Sequence, residues 1–583
     1  MSRHLPLIAI AGAILFLTVY GAGIYPWTVC VALLAFSVTG LVMHRTPTSL
    51  PRKRQLTLPA LYASLLIFIV IVLMPLPLTL TRLTGIHRFE QNRRVVETLV
   101  EAKSFGLETP SVVAFSTTRS RAGTLRALLL FATLFGAWNA ARQMTAPQRR
   151  LWLRLLIGLG SIVAVLGYLS KWVIPQGDTL WWIIHVPHGL PGPVGGFINP
   201  NHFAGFIAML APIALATGIA DARQKRWGYA LADGASFSIM TLALLFSMSR
   251  GGLVAYAGGM GVLTMLFFAR SKGWGRLALT AAISIILGGA ILLAFQQDQV
   301  RERLLSLRSP TTTESLQERM AAWKDTAGMW ARYPLVGVGP NAFRVTYPQH
   351  RTSSSRSTRD FAENEYVQII GETGIIGIVL LTLFLVILVR QSRRALKEPQ
   401  DEAVASCALA CVGALAVAAT HALVDFPLHL PLYAITVATL VGSLWPAQDN
   451  EGGYDASRWP HIVSIAIATL MLGLGPACRL GSSRQLSGAS TPQIIRTLTW
   501  APTSALVWRR LCAKLSMSPS EPVRRFGERC LTQAAKYDPN NYPLLRRLGA
   551  VRQALGDNRG ANEAYRRIEA LRDWIKLPVL PED

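Results

Sequence analysis

Apolar residues in this chain fall in runs of about twenty, the length an α-helix needs to cross a bilayer. Such runs begin near Leu5, Trp27, Leu58, Leu125, Leu153, Phe203, Tyr229, Gly251, Leu277, Tyr366, Ala403, Leu430 and His461. The pattern predicts an all-α, polytopic membrane protein of about 13 transmembrane helices. Two long polar connections interrupt it, at about 81–124 and about 297–364. Within the second, the spacing predicts an amphipathic helix over 315–332, with Trp323, Ala327 and Trp330 on one face and Tyr333-Pro334 as its stop. The first run, behind Ser2-Arg3-His4, also has the look of a signal peptide, whose removal leaves the later topology unchanged.

Charge orients the spans. Arg45, Arg52, Lys53 and Arg54 follow the second run; Arg142, Arg149, Arg150 and Arg154 the fourth; Arg223, Lys225 and Arg226 the sixth. Arg270, Lys272 and Arg276 follow the eighth, and Arg390, Arg393, Arg394 and Lys397 the tenth, whereas alternate connections such as 21–26 and 175–200 carry no Lys or Arg. Short loops rich in Lys and Arg stay in the cytoplasm. The N-terminus is therefore expected inside, and both long loops outside. The chain carries 58 Lys+Arg against 32 Asp+Glu, a formal net charge of +26, with only 15% charged residues. That charge fraction disfavours a soluble multidomain enzyme, and cytoplasmic loops account for the excess without nucleic acid.

The last hundred residues are polar and read as an extracytoplasmic helical domain, 481–583, beside a transmembrane domain, 1–480. Trp500-Ala-Pro502 and Tyr537-Asp-Pro539 each precede an Arg-Arg-Leu, Arg509–Leu511 and Arg546–Leu548, at the same distance. The second unit resembles a tetratricopeptide repeat through Leu545, Leu548, Gly549, Ala561 and Tyr565. The first fits with a three-residue insertion. Two units are fewer than a stable solenoid needs, so support from elsewhere is expected. Their function is either a docking surface or a plain helical cap. Cys512 and Cys530 either bridge or remain core thiols.

Several segments carry candidate chemistry. In Gly196-Phe-Ile-Asn-Pro-Asn-His-Phe-Ala204, Asn201 is expected to cap the sixth span, with Asn199 and His202 as possible substrate contacts. Ser249-Arg-Gly-Gly252 joins spans seven and eight; Arg250 is either a snorkelling side chain or an anion site, since a guanidinium fork matches phosphate oxygens. Glu363, Glu365 and Glu372 lie at or in the tenth span, where a carboxylate needs a partner, and Arg319 and Arg250 are the expected ones. Arg82, Arg93 and Arg94 in the first loop are further phosphate candidates. His421, Asp425 and His429 have metal-ligand spacing on an unbroken helix, but Pro427 and Pro431 favour a hydrogen-bonded corner.

These blocks, with Arg319-x3-Trp323, Pro334-Leu-Val-Gly-Val-Gly-Pro-Asn-Ala-Phe343, Asn364-Glu-Tyr-Val-Gln-x3-Glu-Thr-Gly-Ile-Ile-Gly377 and His421-Ala-Leu-Val-Asp-Phe-Pro-Leu-His-Leu-Pro431, together resemble the O-antigen ligase and O-antigen polymerase superfamily. The resemblance spans about 195–435. It implies a metal-independent, cofactor-free inverting glycosyltransferase in the bacterial inner membrane. Such an enzyme moves a glycan from undecaprenyl diphosphate to an acceptor hydroxyl at the periplasmic face. By the resemblance Arg250 and Arg319 grip the carrier diphosphate, with Asn364 and His421 among the residues near substrate.

Where the ligases place a histidine as acceptor-activating base, this chain has Glu363. The glutamate either replaces it as base or only positions an arginine. The acceptor is then another carrier-linked glycan (a polymerase), lipid A-core (a ligase) or a protein Ser or Thr (an O-oligosaccharyltransferase). The missing histidine and the added C-terminal domain favour the polymerase. Readings from other classes are a transporter, for which Asp233 is the clearest charge inside a span, and a non-catalytic scaffold.

Overall fold

The computed structural model describes residues 5–19, 26–42, 58–110, 113–173, 179–180, 184–185, 195–197, 199–270, 310–352, 359–397, 402–445 and 489–575. The expected spans starting near Leu277 and His461 lie outside the described residues. Every apolar run among them is a helix: α1 (Leu5–Val19), α2 (Pro26–Val42), α3 (Leu58–Leu73), α5 (Arg121–Arg142), α6 (Ala146–Tyr168), α7 (Pro200–Arg223), α8 (Trp227–Phe246), α9 (Arg250–Arg270), α11 (Glu365–Lys397), α12 (Glu402–His421) and α13 (Pro431–Ser443). The polar stretches add α4 (Ile86–Ser104), α10 (Pro310–Arg332) and α14 to α18 (Thr491–Trp500, Ala505–Leu515, Glu521–Tyr537, Tyr542–Ala554, Asn558–Ile575). Among the described residues the fold is all-α apart from a two-residue ladder pairing Thr179–Leu180 with Ile184–His185 and an isolated bridge between Leu76 and Phe115. Seven of the described helices are long and apolar enough to cross a membrane, and three shorter ones are apolar. The chain is a multi-pass membrane protein.

Two compact units divide it. The first comprises 1–58, 129–313 and 383–473. At its centre stands α7, whose apolar window is 83% buried among α6, α8, α9 and α12. Small residues set these distances. A Cβ on Gly252 would lie 2.7 Å from that of Ala204, and one on Gly259 only 2.1 Å from Val417 Cγ2, so α9 packs closely on α7 and α12. Arginines close the ends expected in the cytoplasm. Arg149 donates to the carbonyls of Ser443 (3.1 Å) and Trp445 at the C-terminus of α13, and Arg154 and Arg226 both pair with buried Asp221. Asp233 is buried on α8 facing Gly218 of α7.

The second unit comprises 59–128, 314–382 and 474–583. It is organised around a break in α11. Gly374 has φ +62°, and a Cβ there would lie 2.5 Å from the Pro334 carbonyl oxygen. The amides of Ile375 and Ile376, released by the break, donate to the carbonyls of Pro334 (2.9 Å) and Leu335 (3.3 Å). In return the amides of Val338 and Gly339 donate to the carbonyls of Gly371 (3.1 Å) and Glu372 (2.8 Å). Gly337 and Gly339, with φ of +61° and +105°, let the loop lie against the helix backbone.

The buried face of α10 is Ala322, Thr326, Met329 and Tyr333, while Ala327 is exposed. This corrects the face expected from Trp323, Ala327 and Trp330. The tryptophans sit at the edge because each indole N–H has a backbone acceptor there: Ala362 for Trp323 (3.0 Å) and Pro334 for Trp330 (3.2 Å).

In the same unit α15–α16 and α17–α18 form two helical hairpins with glycines at the crossings, Gly527 against Leu515 and Gly549 against the Tyr565 ring. Their core does not close on itself. Val95, Leu99 and Ala102 of α4, with Phe115, join Trp508, Leu511, Phe526, Leu531 and Leu545 in one buried cluster. Cys512 and Cys530 lie inside it as free thiols. The first long loop thus supplies the apolar surface that two repeats lack. Leu99→Ala should cost about 2–5 kcal/mol, whereas Val100→Ala, on the exposed face, should stay within about 0.5 kcal/mol. Equilibrium unfolding of the full chain, followed by tryptophan fluorescence, checks both.

Candidate functional site

In the first unit three of the sequence blocks converge. Asn199, not Asn201, caps α7: its side chain accepts from the Asn201 amide at 2.9 Å, and Pro200 takes the first helical position. Pro200 has no N–H to be capped and its fixed φ starts the helix, which moves the cap one residue before it. His202, in the first turn, is buried with its Nε2 3.5 Å from Asp425 Oδ1 and its ring edge-on to Phe426. His421, the last residue of α12, is fully buried, with Nε2 3.6 Å from Asp425 Oδ2.

One carboxylate therefore faces two imidazoles drawn from two helices. Gly205 makes room, since a Cβ there would lie 2.1 Å from His421 Cε1. The spacing of His421, Asp425 and His429 does not run along a helix, because α12 ends at His421 and Pro427–His429 form a separate 3-10 turn. Among the described residues no group of three His, Cys, Asp or Glu is arranged to hold a metal ion.

Arg250 begins α9. Ser249 caps the helix by accepting from the Gly252 amide (3.1 Å), and Met248 turns the chain with φ +55°. Gly251 lies against Val424 and Gly252 against Ala204, so the Ser-Arg-Gly-Gly segment packs on both neighbouring blocks.

In the second unit the other three blocks converge. Glu363 has φ +56°, uncommon for a residue with a Cβ and a cost of roughly 1–2 kcal/mol. Its flanks impose it. The Ala362 amide donates to Gln368 Oε1 (2.9 Å), the Ala362 carbonyl accepts from the Trp323 indole, and Asn364 Oδ1 caps α11 by accepting from Tyr366 (3.0 Å) and Val367 (3.1 Å). The Glu363 side chain is about one-quarter exposed and lies 3.6 Å from Arg319 Nη2 and 3.9 Å from Arg359 Nη1. Arg359 also holds Glu318 at 2.9 Å.

The expected arginine–glutamate pairing is thus made by Glu363 with Arg319. Glu372 is held differently. Its buried carboxylate accepts from the amides of Asn341 (2.7 Å) and Phe343 (3.1 Å) and from Gln368 Nε2 (3.2 Å), locking the glycine turn to α11. The turn brings these amide donors to the carboxylate.

Sequence reasoning missed Arg359, Arg88 and Arg119. Arg359 stands four residues before Glu363, a spacing that signals an ion pair only on a helix. Arg88 and Arg119 are buried in the first loop. Arg88 donates to the carbonyls of Gly337 and Thr117 (3.1 Å) and stacks on Tyr333, and Arg119 donates to Asn92 Oδ1 (3.1 Å) and the Ser116 carbonyl (3.2 Å). Of the arginines expected to meet phosphate there, Arg82 lies over the Phe89 ring and Arg93 pairs on the surface with Glu97.

Fold and site together define a multi-pass membrane protein that carries a partly open carboxylate between two arginines. Residues 235–382 match the model of a family described as O-Antigen ligase. The chain is similar to that family from α8 through the break in α11, a segment containing Arg250, Arg319, Glu363 and Asn364. The resemblance to the O-antigen ligase and polymerase superfamily stands on this match, which supports a glycan transferase. No curated protein matches the chain.

Burial pushes the Asp425 pKa up, but the contact with His202, the charges of His202 and His421 and the Phe426 amide outweigh it and hold the group below the usual carboxylate range. A depressed folded-state pKa adds stability above the unfolded value of about 4, lost as pH falls through the folded pKa. Asp425→Asn should therefore cost about 1–3 kcal/mol at neutral pH, and its deficit should shrink below about pH 4. Thermal unfolding of both proteins across that range reads the effect.

Proposed function

We propose that the protein is an inverting glycosyltransferase of the bacterial inner membrane, acting at the periplasmic face as an O-antigen or exopolysaccharide polymerase. The donor is a glycan on undecaprenyl diphosphate, and the acceptor is a hydroxyl of a second carrier-linked glycan. The N-terminus lies in the cytoplasm and the C-terminal domain in the periplasm, as the loop arginines require. The reading is carried by one observation, the Glu363 carboxylate held beside Arg319 and Arg359 on an outer loop.

The chemistry follows from those groups. The acceptor oxygen attacks the anomeric carbon from the side opposite the diphosphate. The anomeric C–O bond breaks with inversion, undecaprenyl diphosphate leaves with the electron pair, and the hydroxyl proton passes to Glu363. Arg319 binds the diphosphate and stabilises the charge that develops on it. An oxocarbenium-like transition state lowers the demand on the base. Arg250, at the N-terminus of its helix, is likewise assigned to the diphosphate, helped by the positive end of the helix dipole. Asn199 and Asn364 cap their helices, and His421 packs on Asp425 with His202, so each has a structural role of its own.

The description of the matched family favours a second reading, a ligase that passes the glycan to lipid A-core. A transfer assay on the purified protein in lipid, with carrier-linked oligosaccharide and with or without lipid A-core, separates the two. Longer carrier-linked chains without added acceptor are expected; product only on lipid A-core makes it a ligase. Glu363→Gln should lower kcat by about 10²-fold or more with the donor KM little changed. Arg319→Ala should lower kcat/KM for donor by about 10- to 100-fold. A glutamine variant that keeps full kcat but raises the donor KM assigns Glu363 to positioning Arg319.

A further inference from the structure

The paired Arg-Arg-Leu segments of the C-terminal region have no part in the transfer chemistry above. They occupy equivalent places, Arg509–Leu511 on α15 and Arg546–Leu548 on α17, each on the first helix of its hairpin. The leucines go inward, Leu511 at 0% and Leu548 at 2% exposure. Helical geometry then turns the preceding arginines away from the core. Arg509, Arg510 and Arg547, though not Arg546, line a cleft of ≈ 230 Å³ together with Ala513 and Pro543.

The guanidinium groups of Arg509 and Arg547 share one cleft and repel one another. Burial, then the charges of Arg510 and Arg547, lower the Arg509 pKa, with Asp538 acting the other way. Asp538 is committed elsewhere, accepting from Asn541 (2.7 Å) and lying 3.9 Å from Arg351. An anion entering the cleft relieves that repulsion, and guanidinium forks match the paired oxygens of a carboxylate. Ala513 and Pro543 add a small apolar wall suited to the C–H face of a sugar ring.

The cleft belongs to the same compact unit as Glu363, and the second outer loop is stitched to the repeats: Arg351 and Asn540 exchange side-chain-to-carbonyl hydrogen bonds, both 3.2 Å. We propose that this cleft binds an acidic, carboxylate-bearing sugar of the glycan chain that the enzyme extends. The proposal rests on the glycan-transfer reading for the source of its ligand. Its concave shape and single-sugar size favour a glycan over a flat anionic membrane.

The test is calorimetric titration of the full chain in zwitterionic nanodiscs with trigalacturonate, against maltotriose and an acidic tetrapeptide. Trigalacturonate is expected to bind and maltotriose not. The double variant Arg509→Gln, Arg547→Gln should weaken binding about tenfold, the loss of charge-assisted bonds, with helicity and Tm unchanged. Equal binding of the neutral sugar, or undiminished binding by a folded double variant, overturns the site. Arginine-dependent binding of the tetrapeptide without trigalacturonate makes it a peptide site and also overturns the proposal. Binding is read without turnover, so the two readings fail separately. A wild type that binds trigalacturonate through these arginines but transfers no glycan supports the cleft and refutes the transferase. One that transfers but does not bind it refutes the cleft.

Discussion

A helix that breaks at Gly374 leaves backbone donors and acceptors that must be met, and the loop 334–339 meets them. Four amide–carbonyl bonds run between the two segments, two in each direction. Each is worth only about 0.5–1.5 kcal/mol net, but leaving a buried group unmet costs more, so break and loop require one another. Glu372 adds its carboxylate to the same joint through Asn341 and Phe343. The joint sets the start of α11, and that start holds Asn364 as cap and Glu363 in its left-handed turn. The candidate carboxylate thus stands on a helix whose break is fixed by backbone hydrogen bonds eight to thirteen residues further on.

Arginine has three distinct employments in this chain. Arg149, Arg154 and Arg226 tie helix ends in the first unit, to carbonyls or to Asp221. Arg88 and Arg119 are buried in the second and bond chiefly to carbonyl and amide oxygens. Arg319 and Arg359 remain partly open beside Glu363. Residue type is the same in each case; burial and partner decide the role.

The C-terminal helices illustrate a limit on small repeats. Two hairpins cannot enclose a core, and α4 of the first long loop completes it with Val95, Leu99 and Ala102. A loop numbered in the nineties and a tail beginning near 490 are therefore one structural element. The Arg351–Asn540 exchange extends that element to the second long loop.

Much was legible in the sequence because hydrophobic periodicity is local. Apolar runs marked the helices α1 to α3, α5 to α9 and α11 to α13. The pairing of Arg319 with Glu363 was also readable, since few charges in those segments need partners. Other features depended on contacts far apart in the chain. The cap at Asn199 rather than Asn201, the buried face of α10, the shared Asp425 between His202 and His421, and the burial of Arg88 under the glycine turn each rest on a neighbour that one-dimensional spacing does not name. Periodicity determines which face is apolar; only tertiary packing decides what that face, and each buried charge upon it, will meet.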